Sequence, residues 1–338
     1  MWHNPLSAGG FLWDFADQGI VRKDLHDSLD TDHHRGADGI VGPHHEKEGS
    51  FFTIKEIWSP VHMERREITP AFDGILHIEN RYAFTNLNQC TFSARLAGPA
   101  TNRTDSFAIT APDIAPFEKG RLQLQLPANW NSYDVLYVTA SDKDKRELFT
   151  WSFPVVRPVQ VTQRNIDTVG KSEVFFKEAD SLWIVSVNNM QLTFNKYKGL
   201  LKNVSNKGRT IPFNNGPILQ EGENNFAGFS HHYEGKNLII SSAFDRKQSY
   251  NTLQWIIYPS GIVKMTVHYF PAAYFTTFAG VNFSFPESDM VTVDYMGDGP
   301  YRVWKNRLKG TRFGVWHKDY NNTETGELEL PGIQRILR

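Results

Sequence analysis

From Ser59 onward the chain is written as short β-rich runs separated by turn signals, which confines it to a mainly β architecture. The runs 75–84, 91–96, 121–126 and 134–140 are spaced at regular intervals. In the third of them Leu122, Leu124 and Leu126 alternate with arginine and glutamine. That two-residue period predicts a strand with one face in a core and the other in water. Asn86-Leu87-Asn88 and Pro127-Ala128-Asn129 supply turns, because these residues bond their own backbone or fix φ. About a hundred residues of this grammar predict an immunoglobulin-like β-sandwich over 59–158. Residues 154–170, with Pro158 and Gln163-Arg164-Asn165, carry no sustained apolar period and read as a linker. Longer, more aromatic runs follow at 182–187, 192–197, 238–242, 253–258 and 262–269, and predict a larger β-sandwich over 171–338. A chain of 338 residues exceeds what one ordinary core organises, so two or three domains are expected.

Residues 1–58 follow a different grammar. Gly9-Gly10 allows close backbone approach, Phe11-Leu12-Trp13 suits a strand buried on both faces, and Asp14-Phe15-Ala16-Asp17-Gln18-Gly19 turns polar. Strands of this kind belong to parallel sheets, whose C-terminal ends line binding sites. A parallel strand needs neighbours and nothing precedes this one, so the chain reads as the tail of something larger. A polar loop from Arg22 to His45 follows. Residues 46–58 then read as a short helix presenting Phe51, Ile54, Ile57 and Trp58 on one face and ended by Pro60. Strand, loop and helix together make one βα unit.

Composition excludes several partners. The formal net charge of −1 provides no basic excess for nucleic acid or an acidic membrane surface. No apolar run approaches the ~20 residues that span a bilayer. Met1-Trp2-His3-Asn4-Pro5 is not a basic segment leading into an apolar one, so no signal peptide is expected; the compartment stays undetermined. Cys90 stands alone, which rules out an internal disulfide framework and a four-cysteine zinc site. Its strand-like setting predicts a buried, inert thiol.

Other residues invite chemical readings. His33, His34, His44 and His45 lie near Asp30 and Asp32, but without the spacing of a metal site, so a solvated loop is expected and no metal ligand is assigned. Asp14 and Asp17 are a carboxylate pair, whereas a retaining glycosidase holds two carboxyls ~5 Å apart across the sugar. Two residues of one loop suit turn-capping or substrate hydrogen bonds better. Gly297-Asp298-Gly299-Pro300 lacks the Gly-Lys-Ser/Thr ending of a phosphate loop and is expected to be a turn. Asn102, Asn203, Asn282 and Asn321 head Asn-x-Ser/Thr triplets, which matter only in a secretory route. No serine–histidine–acid arrangement emerges from sequence order.

The segment Gly9–Gly19 resembles the Gly-Gly-Phe-x-Trp-Asp-x-x-Asp-Gln run on the eighth barrel strand of family 2 glycoside hydrolases of the β-galactosidase type. Asp38-Gly39-Ile40-Val41 is similar to that family's Asn/Asp-Gly-hydrophobic element in the following loop. Gly297-Asp298-Gly299-Pro300-Tyr301-Arg302, with Trp304-Lys305-Asn306-Arg307, resembles the Gly-x-Gly-Pro region of its final sandwich. The resemblance runs from end to end. It implies that residues 1–58 are the last βα unit of a TIM barrel, 59–158 an immunoglobulin-like sandwich, and 171–338 a mutarotase-like sandwich incomplete at its C-terminus.

What the family does is hydrolyse terminal β-galactosides with retention, using two glutamates from the fourth and seventh barrel strands. Neither position exists in this sequence, so no catalytic residue is assigned and the chain alone is expected to be inactive. Trp13 matches the family's aromatic platform for sugar, and Asp14 joins it as a substrate-binding residue. The resemblance implies magnesium and sodium ions for the parent, with the magnesium ligands upstream and no cofactor in this chain. Arg35 replaces a phenylalanine expected at the sodium site. A homo-oligomeric parent, periplasmic or cytoplasmic, is compatible with the resemblance. After Glu327 the family pattern gives way to Leu330–Arg338, the reading obtained when codons for Tyr-Pro-Glu-Phe-Lys-Gly-Tyr-Tyr-Ala are shifted by one base. A frameshifted tail is therefore expected.

Two non-catalytic alternatives stand beside this one. Trp255, Tyr258, Tyr269, Phe270, Tyr274 and Phe275 could form the platform of a carbohydrate-binding module, although the alternation around them favours a core role. A structural interaction module supporting oligomerisation is the other.

Overall fold

The computed structural model describes the chain except residues 1–3, 5, 31–34, 65–66, 99–102, 156–158, 161–162, 164–165, 220–224, 245–249, 270–279, 302, 304–307 and 321–338. The chain is mainly β and divides into two compact units, Met1–Val161 with Val291–Arg338, and Thr162–Met290. None of its described helices is long and apolar enough to cross a membrane.

The first unit is built on two antiparallel sheets. One orders the strands Val61–Met63, Ile75–Asn80 and Lys119–Gln123; the other orders Arg103–Ile109, Thr91–Gly98, Val135–Ser141 and Glu147–Pro154. Alternation does the sorting. Phe92, Ala94 and Leu96 point inward from Thr91–Gly98 and meet Leu76, Ile78, Leu122 and Leu124 from the facing sheet, with Tyr133, Leu136, Val138 and Phe153. Asn86 caps the short 3-10 turn Leu87–Gln89 by accepting from the Asn88 N–H at 2.9 Å, and Leu87 enters the same core. Cys90 is buried there as a free thiol; burial pushes its pKa up, as expected for an inert residue.

A second, smaller core lies on the outer face of the four-stranded sheet. The strand Arg312–Asp319, paired with Thr292–Gly299, brings Phe313 onto Ala97, Val135 and Tyr137. Both backbone polar groups of Phe313 find side chains there. Its N–H donates to Ser152 Oγ at 2.9 Å, and its carbonyl accepts from the Tyr137 hydroxyl at 2.6 Å. The Gly297-Asp298-Gly299 segment, expected as a turn, is instead the end of a strand in register with Phe313 and its neighbours. The glycine at 299 reflects crowding by aromatic rings: Tyr295 and Trp316 both stand against it.

The second unit, taken by itself, is a two-sheet sandwich. A seven-stranded sheet runs through Val174–Glu178, Leu182–Val187, Met190–Asn195, Leu200–Asn206, Asn214–Leu219 and Val281–Ser284, with Arg209–Ile211 attached to Leu200–Asn206. A four-stranded meander, Phe226–Glu234, Asn237–Phe244, Tyr250–Ile257 and Val263–Tyr269, supplies the other sheet. Trp183, Val185, Leu192, Phe194 and Leu201 pack on Leu238, Ile240, Leu253, Trp255 and Ile257.

Two local expectations fail in instructive ways. Phe11-Leu12-Trp13 is not a buried strand but open chain in solvent. A strand buried on both faces needs flanking strands for its backbone groups and cover for both sides, and the described residues supply neither. The helix is present, Gly49–Ile57, but its expected apolar face is not what it buries, since Ile57 and Trp58 are exposed. It packs through Phe52, Thr53 and Glu56. Phe52 stacks on Tyr301 at a centroid distance of 4.2 Å. Thr53 Oγ1 donates to the Lys309 carbonyl at 3.0 Å. Glu56, only 4% exposed, accepts from the Gly310 N–H at 2.6 Å and from Lys309 Nζ at 3.1 Å.

Candidate sugar-facing loop

Two motifs that stand apart in sequence meet in the N-terminal part of the first unit. The segment Asp14–Gln18 lies against 36–41, tied by backbone hydrogen bonds. Asp14 N–H donates to the Asp38 carbonyl at 3.2 Å, and Ile40 N–H returns to the Asp14 carbonyl at 3.2 Å. Asp17 N–H donates to the Val41 carbonyl at 2.9 Å, and Gln18 N–H to Gly36 at 2.7 Å. A parallel bridge joins Ala16 to Val41. Gly39 is required by this approach, because a Cβ there would run into the backbone of Ala16 and Asp17.

Asp17 is spent on this architecture. Its carboxylate accepts from the Gly39 N–H at 2.7 Å, a turn-fixing role rather than acid–base chemistry. Its pKa is nevertheless raised, first by burial, with Asp38 and Glu46 adding repulsion against the stabilising Gly39 bond. Glu48 is raised for the same first reason, with Asp17 and Glu46 as like-charged neighbours. Glu46 itself accepts from the His44 N–H at 2.8 Å, closing the loop on the far side.

Trp13 and Asp14 remain outward. Trp13 is 82% exposed, so an indole face is open to solvent, and its peptide bond to Asp14 is cis. Asp14 is half-buried, and one of its oxygens lies 3.4 Å from Gln18 Nε2. An exposed indole beside a carboxylate and a carboxamide can stack on a sugar's apolar face and bond its hydroxyls. Phe11 and Phe15 are also exposed, giving this segment an apolar surface without a cover among the described residues.

The remaining sequence candidates separate. Among the described residues no three His, Cys, Asp or Glu side chains gather as a metal site. Asp32, His33 and His34 lie outside the described residues, while Asp30 pairs with Arg22 at 2.7 Å. Of the aromatic residues weighed as a sugar platform, Trp255 is core, with Phe194 against its ring at 5.5 Å. Tyr258 is half-buried; the side chain of Tyr269, and Phe270, Tyr274 and Phe275, lie outside the described residues, as do Trp304-Lys305-Asn306-Arg307 and Leu330–Arg338.

No family model matches the chain. Its sequence is similar to that of a β-galactosidase from Lactobacillus delbrueckii subsp. bulgaricus, 26% identical over 214 residues. The match covers 61% of this chain and 20% of the relative, so the chain spans about a fifth of that protein's length. The chain is thus similar to part of a glycoside hydrolase. Among solved structures, the exo-chitosanase CsxA of Amycolatopsis orientalis overlaps 68% of this chain and 29% of its own, at 10% identity and a TM-score of 0.24.

Proposed function

We propose that this chain is the C-terminal region of a retaining family 2 glycoside hydrolase of the β-galactosidase type, hydrolysing terminal β-galactosides. In this reading residues 1–58 belong to a TIM barrel, 59–158 form an immunoglobulin-like sandwich, and 171–338 contribute to a mutarotase-like sandwich. Trp13 and Asp14 make one wall of the sugar site, the indole as a stacking face and the carboxylate as a hydroxyl acceptor. The nucleophile and the acid/base are glutamates outside this chain, as are the magnesium ligands of the parent. The chain alone therefore binds no transition state and turns over no substrate.

The observation that supports this reading is the sequence similarity to a β-galactosidase, joined to the way Asp38-Gly39 holds the Trp13–Asp14 segment. Sequencing the DNA upstream of Met1 tests it. An in-frame barrel carrying two glutamates is expected; a promoter and start site immediately before Met1 would overturn it. In the enzyme so completed, Trp13→Ala should raise KM for an aryl β-galactoside by about 2- to 10-fold, the value of one aromatic stack.

A further inference from the structure

A cavity of about 450 Å³ in the first unit is lined by Arg95, Arg103 and Arg312, with Tyr137, Trp316 and Thr104 among the other walls. Its volume lies in the range of small-ligand sites, and among the described residues no acidic side chain lines it. The guanidinium groups are held rather than free to swing. Arg95 lies over the Tyr137 ring at 4.2 Å and Arg312 over Trp316 at 5.8 Å. Arg103 lies over Tyr133 at 4.4 Å and donates to its hydroxyl at 2.7 Å. The rings beneath are themselves fixed: Tyr137 bonds the Phe313 carbonyl, and Trp316 Nε1 donates to the Gly297 carbonyl at 3.1 Å.

Charge is incompletely balanced around the cavity. Asp105 bonds the Tyr133 hydroxyl and so offsets part of the Arg103 charge. Arg95 and Arg312 have no ion-pair partner among the described residues. Like charges gathered on aromatic faces without a counter-charge are costly unless an anion joins them. Planar guanidinium forks match the geometry of oxyanions.

We propose that this cavity binds a small, multiply charged oxyanion, a phosphate or carboxylate compound, with Arg95 and Arg312 as its principal contacts and Arg103 at the rim. The inference does not depend on the sugar-site reading.

Calorimetric titration of the full chain at low ionic strength tests it, with sodium pyrophosphate as the phosphate probe and citrate as the carboxylate probe. Saturable binding of one anion per chain is expected for at least one probe, and the tighter of the two names the chemistry. The double variant Arg95→Gln/Arg312→Gln should weaken it by about tenfold or more, and added salt should weaken it further. The double variant Arg95→Lys/Arg312→Lys keeps the charge without the fork and should lose affinity several-fold; circular dichroism verifies that each variant is folded. Absence of saturable binding for both probes overturns the proposal. So does equal affinity in wild type and the folded variants of either pair.

Discussion

A sensitive point of the first unit is the carboxylate of Glu56. It is 4% exposed and holds the Gly310 N–H at 2.6 Å and Lys309 Nζ at 3.1 Å. A hydrogen bond to a charged group contributes about 1.5–3 kcal/mol. The Lys309 pair adds roughly 0–1 kcal/mol, discounted because the lysine side chain is 40% exposed. Glu56→Ala should therefore destabilise the first unit by about 2–4 kcal/mol, through an orphaned Gly310 donor and a lost charge partner. For a unit of this size that lowers Tm by roughly 5–15 °C. Glu56→Gln keeps an acceptor for Gly310 and should cost about half as much. Thermal unfolding followed by circular dichroism measures both. A Glu56→Ala variant that melts within about 1 °C of wild type would refute the idea that this carboxylate clamps the helix Gly49–Ile57 to Lys309-Gly310.

Three further outcomes follow from packing and burial. Gly310 has φ +85°, and a Cβ there would meet the Thr53 nitrogen at 2.5 Å, so Gly310→Ala should cost about 1–3 kcal/mol in urea unfolding. His62 is held below its ordinary pKa by burial first, then by Arg81 and Lys309. The unfolded chain therefore binds more protons, and stability should fall as pH drops from about 6.5 toward the lowered value; His62→Gln should flatten that segment of the stability–pH curve. Native Cys90 should resist a thiol-reactive disulfide reagent and react fully once the chain is unfolded in guanidinium, and rapid reaction of the native chain would contradict its burial.

Local period carried most of the strands. The Leu122/Leu124 alternation ends as two buried residues that share the core with Leu76 and Ile78, and residues 182–187 form the strand expected of them. Regions governed by distant partners were not legible in the same way. The helix period pointed to Phe51, Ile54, Ile57 and Trp58, yet the buried side chain is Glu56, whose partners arrive from Lys309 and Gly310. Gly297–Gly299 reads locally as a turn, and only pairing with Arg312–Asp319 makes it a strand. For the candidate site, the sequence offered Trp13, Asp14 and the Asp38-Gly39 element as separate features. Their junction depends on backbone hydrogen bonds between segments more than twenty residues apart, such as Gly39 to Asp17. The arginine cavity had no sequence signal, because Arg95, Arg103 and Arg312 come together only through the fold.

The proposed function has the chain carry a sugar-facing wall without the groups that break the glycosidic bond. Incubating the purified 338-residue chain with an aryl β-galactoside measures this directly. No release of aryl alcohol above the buffer rate is predicted. Sustained turnover that co-purifies with the chain and disappears when Asp14 is replaced by asparagine would contradict it.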